Sequence, residues 1–123
     1  LDQFEPQWVL LELGANDGLR GSPIANISAN LATMIQQSLA AGAQVAVMGI
    51  QLPPNYGARY TVPFFAQYKT LAEQYDTALV PFVLHNVAGI DDLMQADGLH
   101  PTASAQPIIV DNVWQHLATF WLP

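Results

Sequence analysis

At 123 residues, with three Lys or Arg against ten Asp or Glu, the chain carries a formal net charge of −7, which argues against nucleic acid or an anionic membrane surface as partner. It contains no cysteine, which excludes disulfides, thiolate catalysis and cysteine-held zinc. Hydrophobic residues make up 51% and charged residues 11%, a globular balance, and no apolar stretch approaches the roughly 20 residues needed to span a bilayer or anchor stably in one. The chain opens at Leu1 with neither an initiator methionine nor a signal peptide, as expected of a processed chain or a piece of a longer one.

In chain order, Trp8-Val9-Leu10-Leu11-Glu12-Leu13 is a nearly continuous apolar run closed by Gly14, the pattern of a strand buried on both faces. Ile24, Ile27, Leu31, Ile35 and Leu39 follow at helical spacing, with Gly42 as the stop. Val45-Ala46-Val47-Met48-Gly49-Ile50 reads as a second buried strand. After the turn-rich Pro53-Pro54-Asn55-Tyr56-Gly57, an aromatic helix face is expected at Phe64, Tyr68, Leu71 and Tyr75. Ala78-Leu79-Val80-Pro81-Phe82 is a third strand, and a mixed segment with Ile90, Leu93 and Met94 leads to a last helix with Ile109, Val113, Leu117 and Phe120 on one side. Pro107 leaves the start of that helix open. Strand–helix alternation predicts an α/β fold, three-layer α/β/α, with a parallel sheet whose ligands sit beyond the carboxyl ends of the strands.

Two turns carry chemistry. In Asp97-Gly98-Leu99-His100-Pro101 an acid three residues before a histidine can hold the imidazole of a general base, and in Gly14-Ala15-Asn16-Asp17 an amide at a strand end can face a developing oxyanion. Each is also ordinary turn chemistry taken singly; both follow strand-like runs, so the two are expected at one sheet edge. A nucleophile is not evident. Ser28 and Ser38 fall in a helix, Ser104 reads as a helix-start residue, and Ser22, closest in sequence to Asn16, reads as the cap of the helix that follows. His85 and His116 read as structural. Asp91 and Asp92 with Asp97 and His100 form too weak a ligand pattern to predict a metal, and Glu12 reads as a hydrogen-bonded or strand-edge group.

These residues resemble the SGNH (GDSL) hydrolases: Gly14-Ala15-Asn16-Asp17 matches their Gly-x-Asn-Asp block and Asp97-x-x-His100-Pro101 their Asp-x-x-His-Pro block. Val9 to Gly21 and Leu52-Pro53-Pro54-Asn55-Tyr56-Gly57 look like the periplasmic bacterial members that act as acyl-CoA thioesterase, lysophospholipase and arylesterase. The resemblance implies a flavodoxin-like fold and a serine hydrolase of esters and thioesters. His100 would be the base, Asp97 its orienter and Asn16 an oxyanion donor, with the loops at Ser22–Ile27 and Leu52–Gly57 flanking the acyl groove, so that Leu52 and Pro53 bind substrate. It implies no cofactor, small acyl esters or thioesters as ligands, and a periplasmic or secreted location. The family's Gly-Asp-Ser-Leu nucleophile block and glycine oxyanion block both precede the strand that begins here at Trp8, and Leu1 to Gln7 matches neither. Residues 1–123 are therefore expected to be the C-terminal part of one hydrolase domain, lacking its first strand and helix. Such a chain would associate with an N-terminal segment, or act only as an acyl-ligand or partner-binding module.

Overall fold

The computed structural model describes residues 1–122, which pack as two compact units, Leu1–Pro81 and a second from Phe82 onward. The first unit carries the sheet. Strands β1 (Trp8–Leu11), β2 (Gln44–Met48) and β3 (Ala78–Val80) run parallel in the order β1-β2-β3, with Leu11 beside Val47 and Val47 beside Leu79. Between them come a short helix α1 (Ala15–Leu19), α2 (Ile24–Ala40), a 3₁₀ turn (Pro54–Tyr56) and α3 (Ala58–Tyr75). The parallel α/β arrangement expected from the strand–helix alternation is present.

Spacing explains which faces are buried. Ile27, Leu31 and Ile35 recur every four residues along α2, and Phe64, Tyr68 and Leu71 recur at four- and three-residue steps along α3. Together with Leu11, Val45, Val47 and Leu52 they form one apolar cluster. α2 ends in a Schellman arrangement: the Gly42 N–H donates to the Leu39 carbonyl at 2.9 Å and the Ala43 N–H to that of Ser38 at 3.1 Å. A buried amide ties the two long helices together. The Ser28 hydroxyl donates to Gln67 Oε1 at 2.8 Å, and Gln67 Nε2 donates to the Phe64 carbonyl at 2.9 Å.

Two sequence expectations fail in this unit. The first strand stops at Leu11 rather than Leu13, and in this partial chain Leu10 is 43% exposed and Leu13 51%. Among the described residues β1 pairs with β2, and β2, paired on both sides, is buried on both faces. Glu12 consequently lies just past the strand rather than in it. Ser22 does not cap α2 either. Pro23 holds the N-cap position with no side-chain cap, and Ser22 instead offers its carbonyl to the Tyr60 hydroxyl at 2.6 Å.

The second unit consists of turns, two 3₁₀ turns (Asp91–Leu93 and Ala103–Ala105) and helix α4 (Gln106–Trp121), with Pro107 in its first turn, where a missing N–H costs nothing. Of the face expected along α4, Leu117 is fully buried and Ile109 and Val113 half-buried, but Phe120 is 54% exposed. The other buried residue on the helix is polar. Asn112 Nδ2 donates to the carbonyls of Val83 at 3.0 Å and His85 at 2.7 Å. Those carbonyls lie in turns with no strand to satisfy them, so a buried amide takes the place an apolar residue would fill. No helix among the described residues is long and apolar enough to cross a membrane.

Candidate active site

The Asp97–His100 loop is built almost wholly from local bonds. Met94 and Pro101 form an antiparallel bridge at its base. Gln95 closes it from inside: its N–H donates to the His100 carbonyl at 2.7 Å, its Nε2 to the Pro101 carbonyl at 3.0 Å, and its own carbonyl accepts the Gly98 N–H at 2.9 Å. Asp97 Oδ1 then accepts the N–H groups of Leu99 and His100 at 2.9 and 3.0 Å, an Asx-type turn. The second carboxylate oxygen, Oδ2, stands 2.6 Å from His100 Nδ1.

These bonds set the charge on Asp97 and, through it, the tautomer of the neutral His100 ring. The hydrogen bond to the His100 ring, and then those from the two backbone N–H groups, hold the Asp97 carboxyl well below the usual carboxylate range. An ionised carboxylate can only accept, so the proton on the neutral ring lies on Nδ1 and the lone pair on Nε2. His100 is also reachable, its side chain 72% exposed. The pair can therefore take a proton at Nε2 and hold the resulting imidazolium against a fixed anion.

Asn16 is positioned differently. The expected turn at Gly14–Asp17 is the start of a helix: Gly14 is left-handed at φ 108°, its carbonyl accepts the Gly18 N–H at 3.0 Å, and Asn16 stands in the first turn of α1. Gly14 has no room for a side chain, since a Cβ there would lie 2.7 Å from the Tyr68 hydroxyl. That hydroxyl donates to the Leu13 carbonyl at 2.9 Å. Burial first, then the carboxylates of Asp17 and Glu12, push the Tyr68 phenol far above its usual range, so it remains a neutral donor. Partial desolvation also raises the Glu12 carboxyl. At the other end of α1, a Cβ on Gly18 would fall 2.5 Å from the Phe64 ring and 3.0 Å from Leu52. Leu52 is thus a core residue under α1, and its neighbour Pro53 is half-buried.

Asn16, Leu52 and Pro53 belong to the first unit, and Asp97 and His100 to the second. Three of the four serine hydroxyls are otherwise engaged: Ser28 bonds Gln67, Ser38 Oγ bonds the Met34 carbonyl at 2.8 Å, and Ser104 shares a 2.8 Å bond with Thr102 in the 3₁₀ turn before α4. His85 and His116 are both exposed. Among the described residues no three His, Asp or Glu side chains gather as a metal site. The sequence marked Tyr68 only as core. A buried tyrosine needs a partner for its hydroxyl, which was the available signal, but nothing local points to Leu13. Gln95 gave no signal beyond being a polar residue near a turn.

Known proteins resemble this chain in sequence and in fold. Esterase TesA of Pseudomonas aeruginosa is 51% identical over 117 residues, covering 95% of this chain and 58% of the relative. The thioesterase 1/protease 1/lysophospholipase L1 of Escherichia coli is 45% identical over 111 residues, covering 90% and 53%. The chain thus spans little more than half the length of these relatives. A crystal structure of TesA superposes with a TM-score of 0.92 at 50% identity, covering 96% of this chain and 66% of that one. The psychrotrophic esterase EstA of Pseudoalteromonas sp. gives 0.91 at 42% identity, covering 99% and 67%. Residues 1–106 match the GDSL-like Lipase/Acylhydrolase family, and the chain belongs to it.

Proposed function

We propose that the whole protein hydrolyses carboxylic esters and thioesters of acyl chains through a serine nucleophile. The observation that carries this reading is the 2.6 Å contact between His100 Nδ1 and Asp97 Oδ2 in an exposed loop of a chain from this family. The serine hydroxyl attacks the acyl carbonyl as its proton passes to His100 Nε2, and the imidazolium returns that proton to the leaving alcohol or thiol. Water then repeats the sequence on the acyl-enzyme. Asp97 holds the ring tautomer, and the Asn16 amide donates to the oxyanion. Leu52 and Pro53 flank the acyl chain, Leu52 from the core side. No cofactor is needed. The resemblance to periplasmic members argues for a periplasmic or secreted enzyme.

These 123 residues contain no Gly-Asp-Ser block. We read them as the C-terminal part of a single hydrolase domain, whose nucleophile comes from a segment preceding Leu1. On that reading the chain by itself turns over no p-nitrophenyl acyl ester, and adding the part of TesA that it does not match restores turnover. Robust hydrolysis by the chain alone, abolished by Ser22→Ala, would overturn the missing-nucleophile assignment. The alternative, a module that only binds an acyl ligand or a partner, predicts no turnover in either mixture.

A further inference from the structure

We propose that Tyr68 is a positioning residue for the oxyanion donor, its hydroxyl fixing the Leu13–Gly14 peptide from which α1 and Asn16 set out. The inference rests on reading Asn16 as that donor. α1 has five residues, far below the ~12–15 at which a helix holds its own shape, so its direction must come from its surroundings. Phe64 and Leu52 press against Gly18 at its far end, and Tyr68 grips the peptide at its near end. Only Ala15 lies between the gripped peptide and Asn16.

The grip is stiff. Tyr68 is 1% exposed, its ring meets Phe64 edge-on at 5.7 Å, and its hydroxyl bonds the Leu13 carbonyl at 2.9 Å. Gly14, left-handed and without a Cβ, lets the hydroxyl come this close. A phenol that burial, and then the charges of Asp17 and Glu12, hold neutral keeps its proton to donate, so the anchor does not titrate away. An oxyanion donor acts only at hydrogen-bonding distance from a developing charge, and displacement by about 1 Å can cost ~10²-fold in rate.

The test is a double-variant cycle in the whole protein. Tyr68→Phe keeps the ring in the core and removes only the hydroxyl. It should lower kcat on a p-nitrophenyl ester by roughly 10-fold with KM held within about 2-fold. In an Asn16→Ala background the same change should lower kcat hardly at all, because the group it positions is gone. A purely structural hydroxyl would shift the thermal midpoint equally in both backgrounds and leave kcat per folded molecule untouched. Unchanged kcat in Tyr68→Phe, with Asn16→Ala damaging, overturns the role of Tyr68 alone, as do losses that multiply in the double variant. An Asn16→Ala enzyme with full kcat overturns the oxyanion reading itself, and the role of Tyr68 with it.

Discussion

The Asp97–His100 loop is held by its own neighbours: Asp97 accepts from residues two and three positions on, and Gln95 closes the loop from two positions before. The Gly14–Asn16 block is held from a distance, by a hydroxyl 55 residues away from the carbonyl it grips and by Phe64 and Leu52 under Gly18. One arrangement is written into a few consecutive residues and lies in the open. The other exists only once α3 has packed on the sheet. Reactive groups can thus be aimed by local chain stiffness or by the core, and the two should fail in different ways.

The largest expected effect tests the local arrangement. In the whole protein, His100→Ala should remove nearly all acyl transfer, and Asp97→Asn should cost on the order of 10⁴ in kcat. Adding His100→Ala to Asp97→Asn should cost far less than the two losses combined, because the residues act as one unit. Measurement of kcat/KM for both single variants and the double decides it. Losses that simply add in free energy would make the turn structural.

The second sharpens the contrast through glycine. Gly98 has φ 66° and nothing stands within 4 Å of where a Cβ would project, whereas Gly14, at φ 108°, faces the Tyr68 hydroxyl. Gly98→Ala should therefore cost only the left-handed penalty of about 1–2 kcal/mol. Gly14→Ala should add overpacking of about 1–3 kcal/mol. Urea denaturation of the 123-residue chain measures both. Equal losses would mean that the core gives way around Gly14, and the contrast between the two regions would collapse.

The same division explains what could be read from sequence. The strands and helices were legible because their apolar residues keep regular periods, as at Ile27, Leu31 and Ile35 or Phe64, Tyr68 and Leu71. The Asp97–His100 pairing was legible because its bonds span three residues. The end of β1 at Leu11 was not, since Leu13 is as apolar as the strand itself and only pairing shows where it stops. Nor was the burial of Asn112, which answers carbonyls 27 and 29 residues away. Leu52 was placed beside the acyl groove by its loop, but its contact with Gly18 also makes it core.

The smallest effect asks whether the local arrangement persists in solution, and the Asp97 carboxyl reports it. An ordinary aspartate titrates near pH ~3.9. In the fold, the His100 ring and the N–H groups of His100 and Leu99 favour the charged form, so Asp97 should stay ionised through that value. A depressed folded pKa contributes stability that is fully present above the unfolded value and is lost as pH falls through the folded one. The contribution is therefore constant from neutral pH down to about 4 and declines only below it. Because the side chain is 43% exposed, solvent screening keeps the effect on overall stability small, and the carboxyl itself is the better probe. Following the Asp97 Cγ chemical shift against pH in the 123-residue chain should show no transition in the ordinary aspartate range. His100→Ala should then move the transition up toward that range, while leaving part of the depression that the two backbone N–H groups supply. A carboxyl that titrates normally in the unaltered chain would mean that the bond to Nδ1 is not populated, and the exposed loop would then need its orientation from elsewhere, as Asn16 does.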